Sequence, residues 1–111
     1  MATALRSSRD IIIRTNDWAR ATEFYGSTLG FELVYRGENM VGFETGSFRL
    51  YVEKGEDHGP VFDYLVPDVQ VAKTALLAAG CTLVEEDPSV PRCYLRDVYG
   101  MTFNLGLRAS S

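Results

Sequence analysis

The sequence has few of the residues that mark several common classes of protein. Its 111 residues include one histidine, two cysteines and only two lysines, Lys54 and Lys73, and the net charge is −4. Nucleic-acid binding needs Lys and Arg clustered on one face, and no basic run is present. The cysteines, Cys81 and Cys93, are not in a Cys-x-x-Cys pattern, which favours two reduced, partly buried thiols.

Long apolar runs are also missing. The longest, Ala75 to Ala79, falls far short of the roughly 18 residues needed to cross a membrane. The segment 1–10 lacks the apolar core of a secretory signal peptide. We therefore expect a cytoplasmic protein with no membrane or nucleic-acid partner. The hydrophobic content of 46% and charged content of 23% are ordinary for one globular domain, which we expect to span 1–111.

What the sequence does contain is one repeat. Asp17 begins a helical pattern that ends at Gly30, and Asp68 begins a second pattern that ends at Gly80, so equivalent residues are 51 and 50 positions apart. An Asp at a helix start can accept hydrogen bonds from free backbone N–H groups, and a Gly supplies the left-handed residue that ends a helix. A unit present only twice is not a solenoid, which needs about three or more repeats. We expect two half-domains with a cleft between them.

Hydrophobic periodicity and turn residues predict the order βαβββ in each copy. The predicted elements are a strand at 10–14, a helix at 18–29 and strands at 31–36, 40–44 and 48–53, then a strand at 61–66, a helix at 69–79 and strands at 81–85, 92–96 and 101–107. Segment 54–60 is the expected hinge. The predicted fold class is α+β, with modules at about 8–55 and 60–108 that form curved mixed sheets around a concave trough. The helices are expected on the outer face.

Alternation along the strands assigns side chains to the two faces of each sheet. Ile11 and Ile13 are expected to face the first helix, and Phe103 and Leu105 to point away from the trough. The side chains expected on the concave side are Asp10, Ile12, Arg14, Arg49, Tyr51, Glu53, Thr102 and Asn104.

Two segments carry a family resemblance. Asp17 to Tyr25 followed by Leu29-Gly30-Phe31, and the turn and strand from Arg96 to Leu105, are similar to motifs of the vicinal-oxygen-chelate superfamily. That superfamily includes glyoxalase I, extradiol dioxygenases, fosfomycin-resistance thiol transferases and bleomycin-resistance proteins. The resemblance covers roughly residues 8 to 108, and Val98 and Tyr99 depart from the usual turn.

The resemblance implies a divalent metal held by His, Gln or Glu on equivalent strands of the two modules. Carried over position by position, these ligands fall on Asp10, Val61, Asn104 and, by the best alignment, Arg49. Val61 has no lone pair, Arg49 is a permanent cation and Asn104 is at best a neutral ligand, so one carboxylate would be left to hold the metal. We therefore expect no metal and no other cofactor.

Several other features have an ordinary structural interpretation. His58 falls in the hinge and is expected to be an exposed loop residue, and the acidic run 85–87 is expected to be a solvated loop. Trp18 is expected to pack in the core or at a dimer interface rather than to stack on a ligand. For Arg49 two roles stay open, namely an internal ion pair with Asp10 and recognition of an oxyanion on a ligand.

Three functional hypotheses follow. The first is a metal-free binding protein of the bleomycin-resistance type, which sequesters a small planar or aromatic compound, including an anionic one. Its expected ligand-binding residues are Asp10, Arg49, Tyr51, Asp63, Tyr94 and Asn104.

The second hypothesis is an enzyme, either a lyase, transferase or dioxygenase with unusual metal ligands or a metal-free acid–base catalyst. Its candidate ligands are Asp10, Glu53, His58 and Asp63. The third is a protein-interaction role in which the pocket has degenerated. The small members of the superfamily commonly pair, so the resemblance also implies a homodimer.

Overall fold

The computed structural model describes residues 5–107. Their elements are β1 (Arg6–Thr15), α1 (Trp18–Glu23) followed by a π-helical turn (Phe24–Thr28), β2 (Glu32–Arg36), β3 (Met40–Glu44), β4 (Arg49–Lys54), β5 (His58–Val66), α2 (Val69–Ala78), β6 (Thr82–Asp87), β7 (Arg92–Arg96) and β8 (Thr102–Leu107). The predicted α+β class and the order βαβββ in both copies are confirmed. Neither helix in the described part of the chain is long and apolar enough to span a membrane.

The chain divides into two compact units. Module one comprises residues 9–60, and module two comprises residues 61–107 together with residues 5–8. The strand order is β2-β3-β4-β1 in module one and β5-β8-β7-β6 in module two. In each, the first and last strands are parallel and the other pairs are antiparallel. The trough expected between the modules stays a prediction.

Both modules bury a core between their helix and one face of their sheet. In module one the buried residues are Val41, Phe43, Leu50 and Val52, and in module two they are Val66, Ala72, Cys93, Leu95, Phe103 and Leu105. Ile13 and Trp18 pack against the first cluster, and the Trp18 indole Nε1 donates a hydrogen bond to the Val52 carbonyl at 3.0 Å. The predicted packing role of Trp18 is therefore confirmed.

Two predicted loops are partly strand. β5 begins at His58, which is half-buried, so the prediction of an exposed loop histidine in a 54–60 hinge is wrong. The turn between β4 and β5 is complete before His58. The Asn16 N–H donates to the Asp57 carboxylate at 2.8 Å, and the Gly55 N–H donates to the Thr15 carbonyl at 3.1 Å.

The acidic run Glu85–Asp87 is also in a strand rather than in a solvated loop. Cationic neighbours make this arrangement stable, since Arg92 lies 2.8 Å from Glu85 and Lys73 lies 2.8 Å from Glu86. The charge run could not reveal these partners, because Lys73 is on α2 and Arg92 is on the next strand.

The two helix starts differ, although both carry Asp. The Asp68 side chain accepts a hydrogen bond from the Val71 N–H at 3.1 Å, as predicted. Asp17 makes no such bond, so its predicted side-chain cap is wrong. Its backbone has ψ 55°, against the extended 111° of Asp68, and its carboxylate lies 3.7 Å from Arg20. Both helices end as predicted, before Gly30 and Gly80 with φ of 76° and 107°.

Both cysteines are free thiols, and Cys93 is only 4% exposed. Burial, followed by the nearby Glu86 charge, raises the pKa of the Cys93 thiol above its ordinary value of 9.0. Because the pKa of Cys93 is higher in the folded protein than in the unfolded chain, the neutral thiol favours the folded state. This contribution to the free energy of unfolding is intact below about pH 9 and is lost as the pH rises through the pKa of the folded protein.

We expect alkaline pH to destabilise a protein that keeps the Cys93 thiol more than the corresponding protein with Cys93→Val. Urea unfolding at pH 7 and pH 10 measures the difference, with Cys81→Ser as the background so that only one thiol titrates. An equal alkaline loss of stability in the two proteins would contradict a role for Cys93.

Candidate binding site

An ion pair joins the first and last strands of module one. Asp10 and Arg49 are partners in the parallel register of β1 and β4, and Arg49 Nε lies 2.8 Å from Asp10 Oδ1. The side chains are 23% and 41% exposed respectively. Asp10 raises the pKa of Arg49 through its charge and this hydrogen bond, so the guanidinium is a fixed cation. The internal ion pair is formed, while the exposed part of the guanidinium can still meet a ligand.

A polar cluster joins the same two strands of module two. Asp63 and Asn104 are partners in the parallel register of β5 and β8, and the Asn104 amide donates to Asp63 Oδ1 at 2.9 Å. The Ser8 hydroxyl donates to Asp63 Oδ2 at 3.0 Å, and the Cys93 N–H donates to Asn104 Oδ1 at 2.8 Å. Asn104 is 8% exposed, so its amide links a buried backbone group to a carboxylate.

The strand registers show which residues of the two copies are equivalent. Ile13 and Tyr64 each precede their helix-starting Asp by four residues, and they pair with Val52 and Leu105. The residue of module one that corresponds to Asn104 is therefore Tyr51. The alignment of Arg49 with Asn104 is wrong by two residues, because the loops before the last strands differ in length. The two polar pairs accordingly lie at different rows of their sheets.

The row of module one that contains Tyr51 is aromatic. Tyr35, Gly42 and Tyr51 are successive partners across β2, β3 and β4, and the two rings are in an edge-on arrangement with centroids 6.2 Å apart. A Cβ at Gly42 would lie 2.7 Å from the Tyr51 ring and 3.1 Å from Tyr35 Cβ. Gly42 thus leaves the space that the Tyr51 ring occupies.

The other predicted site residues are more enclosed. Tyr94 is 4% exposed, with the Arg92 guanidinium 5.3 Å from its ring centroid, and Val61 is 1% exposed. Tyr94 is the cross-strand partner of Asn104. Arg49 and the half-buried Tyr51 are therefore more accessible than Tyr94 and Asn104 of module two.

Carboxylates flank Arg49 on both neighbouring strands. Glu44 is its partner on β3, and Asp10 is its partner on β1. Arg9 lies 2.8 Å from Glu44, and its hydrogen bond and the Gly46 N–H lower the pKa of Glu44. Arg9 pairs with Glu44, and Asp10 binds Arg49 through Nε, so this hydrogen bond does not use the terminal nitrogens of Arg49.

The side chains at the implied metal positions do not fit a divalent metal centre. Asp10 is bound to a guanidinium, Asn104 uses its oxygen for a backbone N–H, and Val61 is apolar. Within residues 5–107 there is no group of three His, Cys, Asp or Glu that could hold a metal ion. The alternative ligands Glu53 and His58 are not brought together with Asp10 and Asp63 in such a group.

The sequence patterns did not identify Tyr35, Gly42 or Ser8 as part of these clusters. Tyr35 lies after a register shift between Leu33 and Tyr35, which moves it onto the face of Tyr51. Strict alternation from Phe31 cannot predict such a bulge. Ser8 precedes the predicted start of β1, and nothing in the local sequence marks it as a partner of Asp63.

Comparison with known proteins gives a family. The protein-family model of the glyoxalase-like domain matches residues 10–106 of this chain. No curated protein sequence matches this chain significantly.

Solved structures share the fold at low sequence identity. A glyoxalase/bleomycin resistance protein/dioxygenase superfamily member from Vibrio splendidus 12B01 is 18% identical, with a TM-score of 0.64 over 95% of this chain and 100% of that one. A hypothetical protein from Bacillus halodurans C-125 is 12% identical, with a TM-score of 0.68 over 97% of each chain.

Homoprotocatechuate 2,3-dioxygenase from B. fuscum, as its H200Q variant, is 20% identical, with a TM-score of 0.67. This chain is covered to 98% but spans only 34% of the dioxygenase chain. At such identities the likeness concerns the fold and not the activity. With the matched domain and its two βαβββ modules, the chain belongs to the glyoxalase-like family of the vicinal-oxygen-chelate superfamily.

Proposed function

We propose that this protein is a metal-free binding protein of the bleomycin-resistance type, which sequesters a small planar anion. The observation that supports it most is the pairing of Arg49 with Tyr51 on one face of β4. Leu50 and Val52 face the core, so the alternate residues Arg49 and Tyr51 share the opposite face, roughly 7 Å apart along the strand. An accessible cation beside an aromatic ring suits an aromatic carboxylate.

Arg49 would supply charge and geometry in this interaction. Its Nε is held by Asp10, which fixes the guanidinium plane without consuming the terminal nitrogens. Those nitrogens can donate two parallel hydrogen bonds to a carboxylate or phosphate. Tyr51, supported edge-on by Tyr35, would lie against the flat part of the ligand.

An enzymatic function has less support from the described residues. The carboxylate of Asp63 accepts hydrogen bonds from Asn104 and Ser8, and Asp10 is ion-paired, so these two carboxylates already serve internal interactions. The expected homodimer stays a prediction.

Arg49→Gln is expected to weaken binding of a planar carboxylate by about 10- to 100-fold, because a charge-assisted hydrogen bond contributes about 1.5–3 kcal/mol. The measurement is a titration of isotope-labelled protein with a panel of benzoate, salicylate and naphthoate, followed by NMR and by Trp18 fluorescence. Arg49→Lys should retain part of the affinity, since it keeps the charge but not the planar fork.

Arg20→Gln is the matched control. Arg20 is 86% exposed on α1, which packs on the core side of β4, so the variant removes the same charge from the face of the sheet opposite Arg49. Equal affinities for Arg49→Gln and Arg20→Gln, or no saturable binding across the panel, would count against the proposal. Stoichiometric, tightly bound metal in the purified protein would favour the enzymatic alternative.

A further inference from the structure

Module two contains a cavity of about 480 Å³ that includes none of the predicted site residues. Its walls are the start of α2, the β6–β7 hairpin and the end of β8, and the lining residues are Pro67, Asp68, Val69, Gln70, Glu86, Pro88, Pro91, Arg92, Cys93, Leu105 and Leu107. Cys93 and Leu105 belong to the core that packs on α2, so the cavity is on the helix side of the sheet. Its volume is within the range of about 300–1,000 Å³ typical of small-molecule sites.

The repeat shows what occupies the same place in module one. Val69 is the first residue of α2, as Trp18 is the first residue of α1, and the two are 51 residues apart. Leu105 corresponds to Val52, because their partners on the first strands are the equivalent Tyr64 and Ile13.

The third wall is also equivalent. Cys93 corresponds to Val41, because the next residues, Tyr94 and Gly42, pair with Asn104 and Tyr51 respectively. The three core residues that line the cavity in module two are thus the counterparts of Trp18, Val41 and Val52.

In module one the counterpart of Val69 is Trp18, whose indole lies on the helix side of the sheet. It packs against the buried cluster that contains Val41 and Val52, and it donates its ring N–H to the Val52 carbonyl at 3.0 Å. Valine has no ring and no side-chain donor, so Val69 can neither fill this space nor make that hydrogen bond. The cavity of module two is therefore next to the position at which module one has its indole.

The charged residues at the cavity already have partners. Glu86 is paired with Lys73 at 2.8 Å, Arg92 is paired with Glu85 at 2.8 Å, and the Asp68 carboxylate accepts a hydrogen bond from the Val71 N–H at 3.1 Å. The remaining lining is dominated by proline, leucine and valine side chains. An ionic ligand would compete with these ion pairs, so the cavity favours a neutral one.

We propose that this cavity binds a small, neutral, planar heteroaromatic compound with a ring N–H, of the indole class, in the position that Trp18 occupies in module one. The ring is held by Val69, Cys93 and Leu105, and its N–H is directed to the backbone of β8. The cavity lies on the helix side of the sheet of module two, whereas the proposed anion site is in module one, so the two sites share no residue.

Indole itself is the probe. Titration of isotope-labelled wild-type protein should give saturable NMR shifts centred on the amides of Val69, Cys93 and Leu105, with a dissociation constant on the order of 1 mM or lower. 1-Methylindole, which lacks the N–H, should bind at least three-fold more weakly. Shifts that do not saturate, or that spread over the surface, would overturn the proposal, and equal affinity for both compounds would overturn the role of the ring N–H.

Val69→Trp places the indole of module one into module two and should weaken indole binding at least ten-fold. Val71→Trp is the matched control, because Val71 lies on the same helix but is 65% exposed and does not line the cavity. Arg49→Gln should leave indole binding unchanged, which separates this site from the proposed anion site. Unaltered indole binding by Val69→Trp would show that indole does not bind in this cavity and would overturn the proposal.

Cys93→Leu provides a second blocking variant in case Val69→Trp does not fold. It adds bulk to the opposite wall and keeps the side chain apolar. Binding of indole should again be weakened, and unchanged affinity in a folded Cys93→Leu protein would overturn the proposal.

Discussion

Replacing Asn104 by leucine is expected to lower the free energy of unfolding by about 3 kcal/mol or more. The change leaves the buried Cys93 N–H without its acceptor and removes the Asn104 hydrogen bond to the Asp63 carboxylate. An unsatisfied buried donor costs about 1–3 kcal/mol, and a hydrogen bond to a charged group contributes about 1.5–3 kcal/mol. Native proteins usually have a free energy of unfolding of about 5–15 kcal/mol, so this loss is a large part of the total stability. Urea unfolding followed by circular dichroism measures the loss.

Asn104→Asp separates the two hydrogen bonds. Its carboxylate can still accept from the Cys93 N–H, but it faces Asp63 across the same 2.9 Å contact as a like charge. We expect this variant to be destabilised at pH 7 and to regain stability near pH 4, where a proton can bridge the two carboxyl groups. A loss for Asn104→Leu that stays below about 1 kcal/mol, or no acid recovery for Asn104→Asp, would show that the cluster contributes little.

Replacing Trp18 by alanine is expected to cost about 3–5 kcal/mol, as large-to-small changes of aromatic core residues usually do. The indole joins α1 to the Val41 and Val52 side of the sheet and also donates to the Val52 carbonyl. Because Trp18 is the single tryptophan of the chain, unfolding is followed by circular dichroism rather than by fluorescence.

Two variants isolate the causes of this loss. Trp18→Phe keeps an aromatic ring but not the N–H, and we expect it to cost about 1–2 kcal/mol, mostly from the lost hydrogen bond. Val69→Ala makes a large-to-small change at the equivalent position of module two, where the neighbouring space is already open, and should cost less than Trp18→Ala. Equal losses of unfolding free energy for Trp18→Ala and Val69→Ala would contradict a special contribution of the indole to the stability of module one.

Much of the fold could be predicted because its signals are local. Apolar alternation in β4 identifies Leu50 and Val52 as core residues, and Gly30 and Gly80 end their helices by backbone conformation alone. The Asp68 cap is also local, since donor and acceptor are three residues apart. Asp17 shows where such local prediction fails. Its ψ differs from that of Asp68, and its side chain makes no capping hydrogen bond.

The candidate site was harder to predict, because its chemistry depends on partners on other strands. Arg49 can be identified from its position, but whether it forms the ion pair with Asp10 could be decided only by the parallel register of β1 and β4, and recognition of a ligand oxyanion by Arg49 stays a prediction. Tyr35 could not be placed beside Tyr51 without the bulge in β2. The acidic residues Glu85 and Glu86 were expected in solvent for the same reason, since Arg92 and Lys73 are distant in sequence.

By itself the sequence determined the duplication, the order βαβββ in each copy and the family, because repeat spacing, hydrophobic period and turn residues are properties of short segments. The tertiary structure decided how the copies differ. Strand register fixes which side chains face each other within each module, and it shows that Tyr51, rather than Arg49, is the residue equivalent to Asn104. Packing then shows that Trp18 fills a space in module one that Val69 leaves open in module two, since the volume between a helix and a sheet is set by side chains that are distant in sequence.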